Sequence, residues 1–235
     1  TLNHTNLVNN LVTFGSDVTI AGDLNLTTGK IAILNNNLTL SGSSINVTSG
    51  KIGADSGTVT FANSTPLATN KNIFVNNPYH VVMNSSNDVS FNTGLTINGN
   101  ITFTSGLLST ADSNLIVIGN MNGGNALSYY KSTGAGKLRH AVNQGSTLQF
   151  PVGNSNYNAV SITNNSGNSD NFSVRVLDDV YNNGYSGVLS TKDRVNRTWD
   201  ISKETANAGS GVDFTFNWNG TDRKSTRLNS SHGYR

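Results

Sequence analysis

From residue 12 to about residue 120, apolar and polar positions alternate in short bursts bounded by Gly, Asn, Ser or Asp. The apolar members run Val18/Ile20, Leu24/Leu26, Ile31/Ile33, Leu38/Leu40, Ile45/Val47 and Val59/Phe61. They continue as Ile73/Val75, Val81/Met83, Val89/Phe91, Leu95/Ile97, Ile101/Phe103 and Leu115/Val117. A period of two sends successive side chains to opposite sides of an extended backbone, so each burst predicts a short strand followed by a turn. The six or seven residues from one burst to the next leave no room for crossover helices. They suit a coil that turns a corner after every strand.

An internal repeat supports a coiled architecture. Val18 to Gly42 aligns without gaps on Leu95 to Gly119, at an offset of 77 with eight of 25 positions identical, Gly22/Gly99 and Gly42/Gly119 among them. A shorter echo at offset 21 matches Gly29-Lys30-Ile31 with Gly50-Lys51-Ile52. A period near 20 residues is that of one β-solenoid coil, so 77 reads as three to four coils. One coil cannot bury its own apolar side, and stacking on neighbours supplies the missing contacts.

After about residue 120 the texture changes. Aromatic residues appear, among them Tyr129, Tyr130, Phe150, Tyr157, Trp199, Phe214, Phe216 and Trp218, and the predicted strands lengthen. Phe214, Phe216 and Trp218 alternate with Thr215 and Asn217, as in a half-buried antiparallel strand, and are expected in the core. The predicted fold is therefore all-β: a parallel β-solenoid (β-helix) over 1–125, then a β-sandwich-like module over 126–221.

Composition agrees. The 235 residues include 38 Asn, 24 Gly, one Glu and no Cys, and only 12 % are charged. Strong helix formers are scarce, while β-branched and turn residues abound. Asn is expected at coil corners, where it tolerates left-handed backbone and hydrogen-bonds locally. The absence of Cys excludes disulfides and thiolate metal sites. No run of 18 apolar residues occurs, so no membrane insertion is expected of this segment.

Residues Asp222 to His232 read DRKSTRLNSSH and resemble a translated sequencing adapter. Residues 222–235 are accordingly expected to be a non-native tail, with the natural chain continuing past Thr221. The tail holds four of the fifteen basic residues and one of the thirteen acids. The other eleven basic and twelve acidic residues leave a net charge of −1 in place of +2, so nucleic acid is not an expected partner.

Leu148-Gln149-Phe150-Pro151-Val152-Gly153, Tyr157, Asn171-Phe172-Ser173-Val174 and Val195-Asn196-Arg197-Thr198-Trp199-Asp200-Ile201 resemble a module of large secreted surface proteins of Bacteroidota. Those adhesin-like, β-strand-repeat proteins also carry solenoid repeats similar to residues 12–120. The resemblance implies export, through type IX secretion, and an extracellular or outer-membrane surface location. The chain is read as a structural or adhesive segment of such a protein, with glycans or a host or neighbouring cell surface as the expected partners.

Several motifs fail as catalytic sites. Gly134-Ala135-Gly136-Lys137 is similar to a phosphate loop, but Lys131 stands where the first Gly belongs and Leu138 replaces the magnesium-binding Ser/Thr. Ser128 to Lys131, Ser169-Asp170-Asn171 and Lys131-Ser132-Thr133-Gly134 imitate β-lactamase boxes, yet two of them share Lys131 and no helix is predicted. A β-helix polysaccharide lyase or hydrolase, or the stalk of a glycan-degrading enzyme, is the alternative; it needs acids stacked on one face. Across the repeat Asp17 meets Gly94 and Asp23 meets Asn100, so no acidic row emerges. No catalytic residue is expected. An ice-binding face needs repeated Thr-x-Thr, and only Thr58-Val59-Thr60 qualifies in the solenoid.

Two candidate sites remain. Asp178-Asp179 beside Asn182, Asn183 and Gly184 forms a candidate calcium loop. Tyr181 and Tyr185, in the same Gly/Asn loop, are the expected exposed aromatics for glycan contact. His4, His80 and His140 are scattered without metal-ligand spacing and are expected at the surface.

Overall fold

The computed structural model describes residues 11–191, 194–205, 211–220 and 223–224. The described chain is all-β, with stacked parallel sheets forming a β-solenoid of about seven turns. None of its elements is a helix long and apolar enough to cross a membrane. His4 lies outside the described residues, as does the tail apart from Arg223–Lys224, which pairs antiparallel with Arg194–Val195.

Three strand ladders form the faces of the solenoid. One runs continuously through Val18–Ile20, Asn37–Leu40, Thr58–Phe61, His80–Asn84, Ile101–Ser105 and Met121–Gly123. In register, Val18, Leu38, Val59, Val81, Ile101 and Met121 stack into an inward column. A second face stacks Leu67–Thr69, Val89–Phe91, Leu108–Ser109, Tyr130–Lys131 and Val152–Gly153. The third begins with Leu11–Thr13, Lys30–Ala32 and Lys51–Gly53 and resumes with Leu95–Ile97, Leu115–Val117 and Leu138–Val142.

The third face is interrupted where alternation predicts a strand at Ile73/Val75. Only Phe74 bridges to Ile52; Ile73 and Phe74 both turn inward and Val75 stays exposed. On the first ladder the outward positions Thr19, Thr39 and Thr60 do align, with Val82 interrupting the column before Thr102.

The short echo is one coil, because Lys30 stacks on Lys51 and Ile31 on Ile52. The 77-residue repeat is different. It carries Val18–Ile20, on the continuous ladder, onto Leu95–Ile97, on the interrupted one. Its unit is the strand plus corner rather than the coil, so the two copies lie on different faces.

Glycine explains why the repeat keeps its corners. A Cβ on Gly42 would lie 2.0 Å from the Gly22 carbonyl oxygen, and one on Gly119 would lie 2.4 Å from that of Gly99. Both copies therefore need Gly where one coil crosses the next. Gly42→Ala is expected to cost about 1–3 kcal/mol by overpacking. Gly22→Ala, with nothing near its Cβ, should be almost neutral. Denaturant midpoints of the two variants check this contrast.

Asn plays a part that local turn chemistry does not capture. Among the described residues the non-glycine positions with positive φ are Leu34 and Ala111, so left-handed backbone is not what Asn supplies there. Instead, polar side chains reach from coil to coil, 20 to 23 residues along the chain. Asp17 accepts the Asn37 backbone N–H, His80 Nδ1 that of Asn100, Asn100 that of Asn120, and Asn114 that of Lys137, each at 2.8–2.9 Å. At a buried corner Asn63 donates to the Gly42 carbonyl, Ser85 to that of Asn63 and Ser128 to that of Gly106. Buried backbone groups at the corners thus find partners without a sheet to supply them.

Parallel stacking runs beyond residue 125, as far as the pairing of Tyr130–Lys131 with Val152–Gly153. The change to antiparallel pairing happens inside shared sheets. Leu138–Val142 lies parallel to Leu115–Val117 on one side and antiparallel to Asp170–Leu177 on the other, which in turn pairs with Thr198–Lys203. A second antiparallel sheet joins Thr147–Phe150, Val160–Asn164 and Val212–Phe216. One apolar cluster runs from Phe14 to Val176, so solenoid and antiparallel layers share a core. Backbone groups that the last coil would leave open are paired instead.

Candidate functional site

The strand Asp170–Leu177 alternates strictly, with Phe172, Val174 and Val176 buried and Asn171, Ser173 and Arg175 on the outer side. Arg175 sits opposite Asp200 in register, and its Nε donates to the Asp200 carboxylate at 2.7 Å. Lys137, arriving from a solenoid corner, donates to the same carboxylate at 2.7 Å, and the Tyr185 hydroxyl does so at 2.6 Å. The Arg175 guanidinium also lies under the Tyr185 ring, 5.6 Å from its centroid.

Tyr185 belongs to a hairpin. Tyr181 bridges to Gly184 and Leu189, Ser190 N–H donates to Val180, and Gly184 takes a positive φ at the tip. Asn182, Asn183 and Gly184 therefore shape a turn. Tyr185 is 55 % exposed, as expected, but its hydroxyl is committed to pinning the hairpin onto Asp200.

Beside the pin lies an open groove of about 440 Å³ bordered by Thr133, Asn154, Arg175, Asp178, Asp179 and Tyr181. The structure thus gathers three of the four expected site residues in one place. As a calcium site the set is poor. The Asp178 carboxylate accepts the Ser155 N–H and faces the Arg197 guanidinium at 3.6 Å, so a cation already occupies its side. Arg197 is held in turn by Asn158 and Ser155. The Asp179 carbonyl accepts from Thr198. Among the described residues no group of three His, Asp or Glu side chains is placed to hold a metal.

The serine and lysine motifs are dispersed into structural bonds. Ser132 accepts the Val176 N–H, Ser128 donates to the Gly106 carbonyl, and Lys131 pairs with Asp88 at 2.8 Å. His140 is buried, contrary to the expected surface position. It shares the inward parity of Leu138 and Val142, a signal present in the sequence.

Phe214 and Phe216 also depart from expectation. They stand on the same side of their sheet as buried Ile162 and Val160, but one strand further out, where the core ends, and both are exposed. Phe216 packs on Trp199, ring centroids 4.8 Å apart. Trp218 is exposed too.

Titration follows from these contacts. Burial alone would raise the Asp200 carboxyl, but hydrogen bonds from Lys137, Tyr185 and Arg175 outweigh it and hold it below the ordinary 3.8. In Asp170 burial is likewise overcome, by Lys203 and by the N–H groups of Thr205 and Asn171. Burial lowers His140 below 6.5. In all three the unfolded chain binds protons more readily, so the fold loses stability as pH falls. Denaturation midpoints should hold steady from neutrality up to pH 10.0, above which buried Tyr129 and Tyr130, both pushed up to about 12, resist ionising and cost stability. On the acid side they should decline first below pH 6.5 through His140, and again below pH 3.8 through Asp170 and Asp200. His140→Leu should remove the first step alone.

No family model, curated protein or solved structure matches the chain.

Proposed function

We propose that this chain is a structural and adhesive segment of a large exported surface protein, a rod that carries contact loops toward glycans or a neighbouring cell. The observation that carries this reading is the coil-to-coil ladder. Side chains along the rod are mostly neutral amides and hydroxyls that bond the next coil, as Asn46 does Asn25 and Ser105 does Asn84. Such a scaffold spends its polar surface on its own continuity. The resemblance of its motifs to those of Bacteroidota β-strand-repeat proteins supports a location outside the cell, reached by type IX export. Antibodies against residues 11–205 should label intact cells that express the parent gene. Labelling only after lysis would defeat the proposal.

A second reading, a β-helix polysaccharide lyase or hydrolase, draws on one feature. Where the third face is interrupted, a groove of about 440 Å³ crosses successive coils past Asn72, Asn77, Thr96, Asp112 and Asn114. Its one acid, Asp112, accepts the Ala135 N–H. The Arg175–Asp200–Lys137 cluster lies in the antiparallel extension of that face, with each charge engaged by another. Release of reducing or unsaturated ends from polysaccharide by the purified chain would favour this second reading.

A further inference from the structure

A different groove, of about 320 Å³, is linked to the hairpin candidates through Arg197, which donates to Ser155 on its lining and faces Asp178 in the other groove. Its walls are Tyr129, Tyr157 and Trp218, with Ser155, Asn156, Asn217 and Asn219 between them. None of the residues that line it carries a charge, in contrast to the Arg175 and Asp178–Asp179 groove.

Two of the aromatic walls are fixed in place. The Tyr129 hydroxyl donates to the Asn154 carbonyl and the Tyr157 hydroxyl to that of Gly124, both at 3.2 Å. The two rings sit 5.5 Å apart at 45°. Gly124 makes that seating possible: at φ +97° its absent Cβ would lie 2.4 Å from Pro151. The third wall differs. Trp199 is half-buried and its indole N–H donates to Asn158 at 2.8 Å. Trp218 is 43 % exposed, and no described residue accepts its indole N–H.

Rigid aromatic walls lose little conformational freedom on binding. Flat apolar faces with polar edges match the axial C–H faces and equatorial hydroxyls of a pyranose ring, and primary amides both donate and accept toward such hydroxyls. A groove without charge gives no Coulombic advantage to an acidic sugar. We infer that the Tyr129–Tyr157–Trp218 groove binds a neutral oligosaccharide, with Trp218 stacking on a sugar ring. This inference rests on the adhesive reading and gives it a partner class and a location.

Affinity electrophoresis of the full chain through gels cast with glucan, mannan or xylan, and separately with alginate or pectate, tests it. At least one neutral polysaccharide should retard the protein more than either acidic one, and added salt should leave that retardation unchanged. Trp218→Ala should weaken the interaction about tenfold. Trp218→Phe should keep most of it, and Tyr181→Ala should leave it intact. Trp218 is exposed, so an unaltered melting temperature shows that the variants fold. Retardation by acidic gels alone, by none, or equally of wild type and Trp218→Ala overturns the assignment. In the last case adhesion to glycans survives and only the groove falls. The surface location is decided separately, by the cell labelling.

Discussion

Asp200→Ala should lower the stability of the chain by about 3–5 kcal/mol, the largest effect expected of any polar substitution here. The carboxylate is 7 % exposed and receives Lys137, Arg175 and the Tyr185 hydroxyl together. Alanine would leave the Lys137 ammonium and the Arg175 guanidinium, 19 % and 17 % exposed, facing each other without an anion. The loss would therefore reflect the stranded cations more than the bonds removed. Asp200→Asn keeps the shape and some hydrogen bonds and should fall between. The hairpin around Tyr185 should become the first site of proteolytic nicking in the alanine variant, where its pin is gone, and be nicked more slowly in the asparagine variant, whose amide oxygen can still accept the Tyr185 hydroxyl. Urea midpoints with a timed protease digest measure both effects. An Asp200→Ala protein as stable as wild type would mean that the cluster contributes nothing to holding the hairpin.

The other large effect is expected inside the solenoid. Phe61 is completely buried on the continuous ladder and packs edge-to-face against Phe91 on the next coil, centroids 5.3 Å apart. Phe91 in turn stacks with Phe74 at 6.5 Å. Phe61→Ala should cost about 3–5 kcal/mol, because three backbone ladders hold the cavity walls apart and limit collapse. In a chain of this length that lowers the melting temperature by roughly 10 °C. The contrast with a half-buried, outward-facing position on the same strand, Thr60→Ala, should be plain in the same thermal scan.

Fold and site were legible to different depths, and particular residues show why. Val18/Ile20, Leu38/Leu40 and Val59/Phe61 form strands as the alternation predicts, since parity alone separates inside from outside. Ile73/Val75 misleads because the segment departs from the ladder and buries two consecutive side chains. Phe214 and Phe216 mislead otherwise: alternation tells which side of a sheet a residue faces, not how far it lies from the centre of the core. Asp178, Asp179 and Tyr181 could be grouped from sequence because they are neighbours in the chain. Asp200, Lys137 and Arg175 could not, as their meeting depends on strand register across 63 and 25 residues. Parity places Arg175 outside but leaves its partner open.

The coil-to-coil hydrogen bonds have a mechanical consequence, since they run along the length of the rod. Tension on that axis pulls directly against them. The rod would yield a coil at a time, each of about 20 residues paying out at most about 70 Å of extended chain. Unravelling would halt at Leu138–Val142, whose grip is parallel on one flank and antiparallel on the other. A tether of this kind absorbs a sudden load by lengthening in steps while its anchored end keeps its shape.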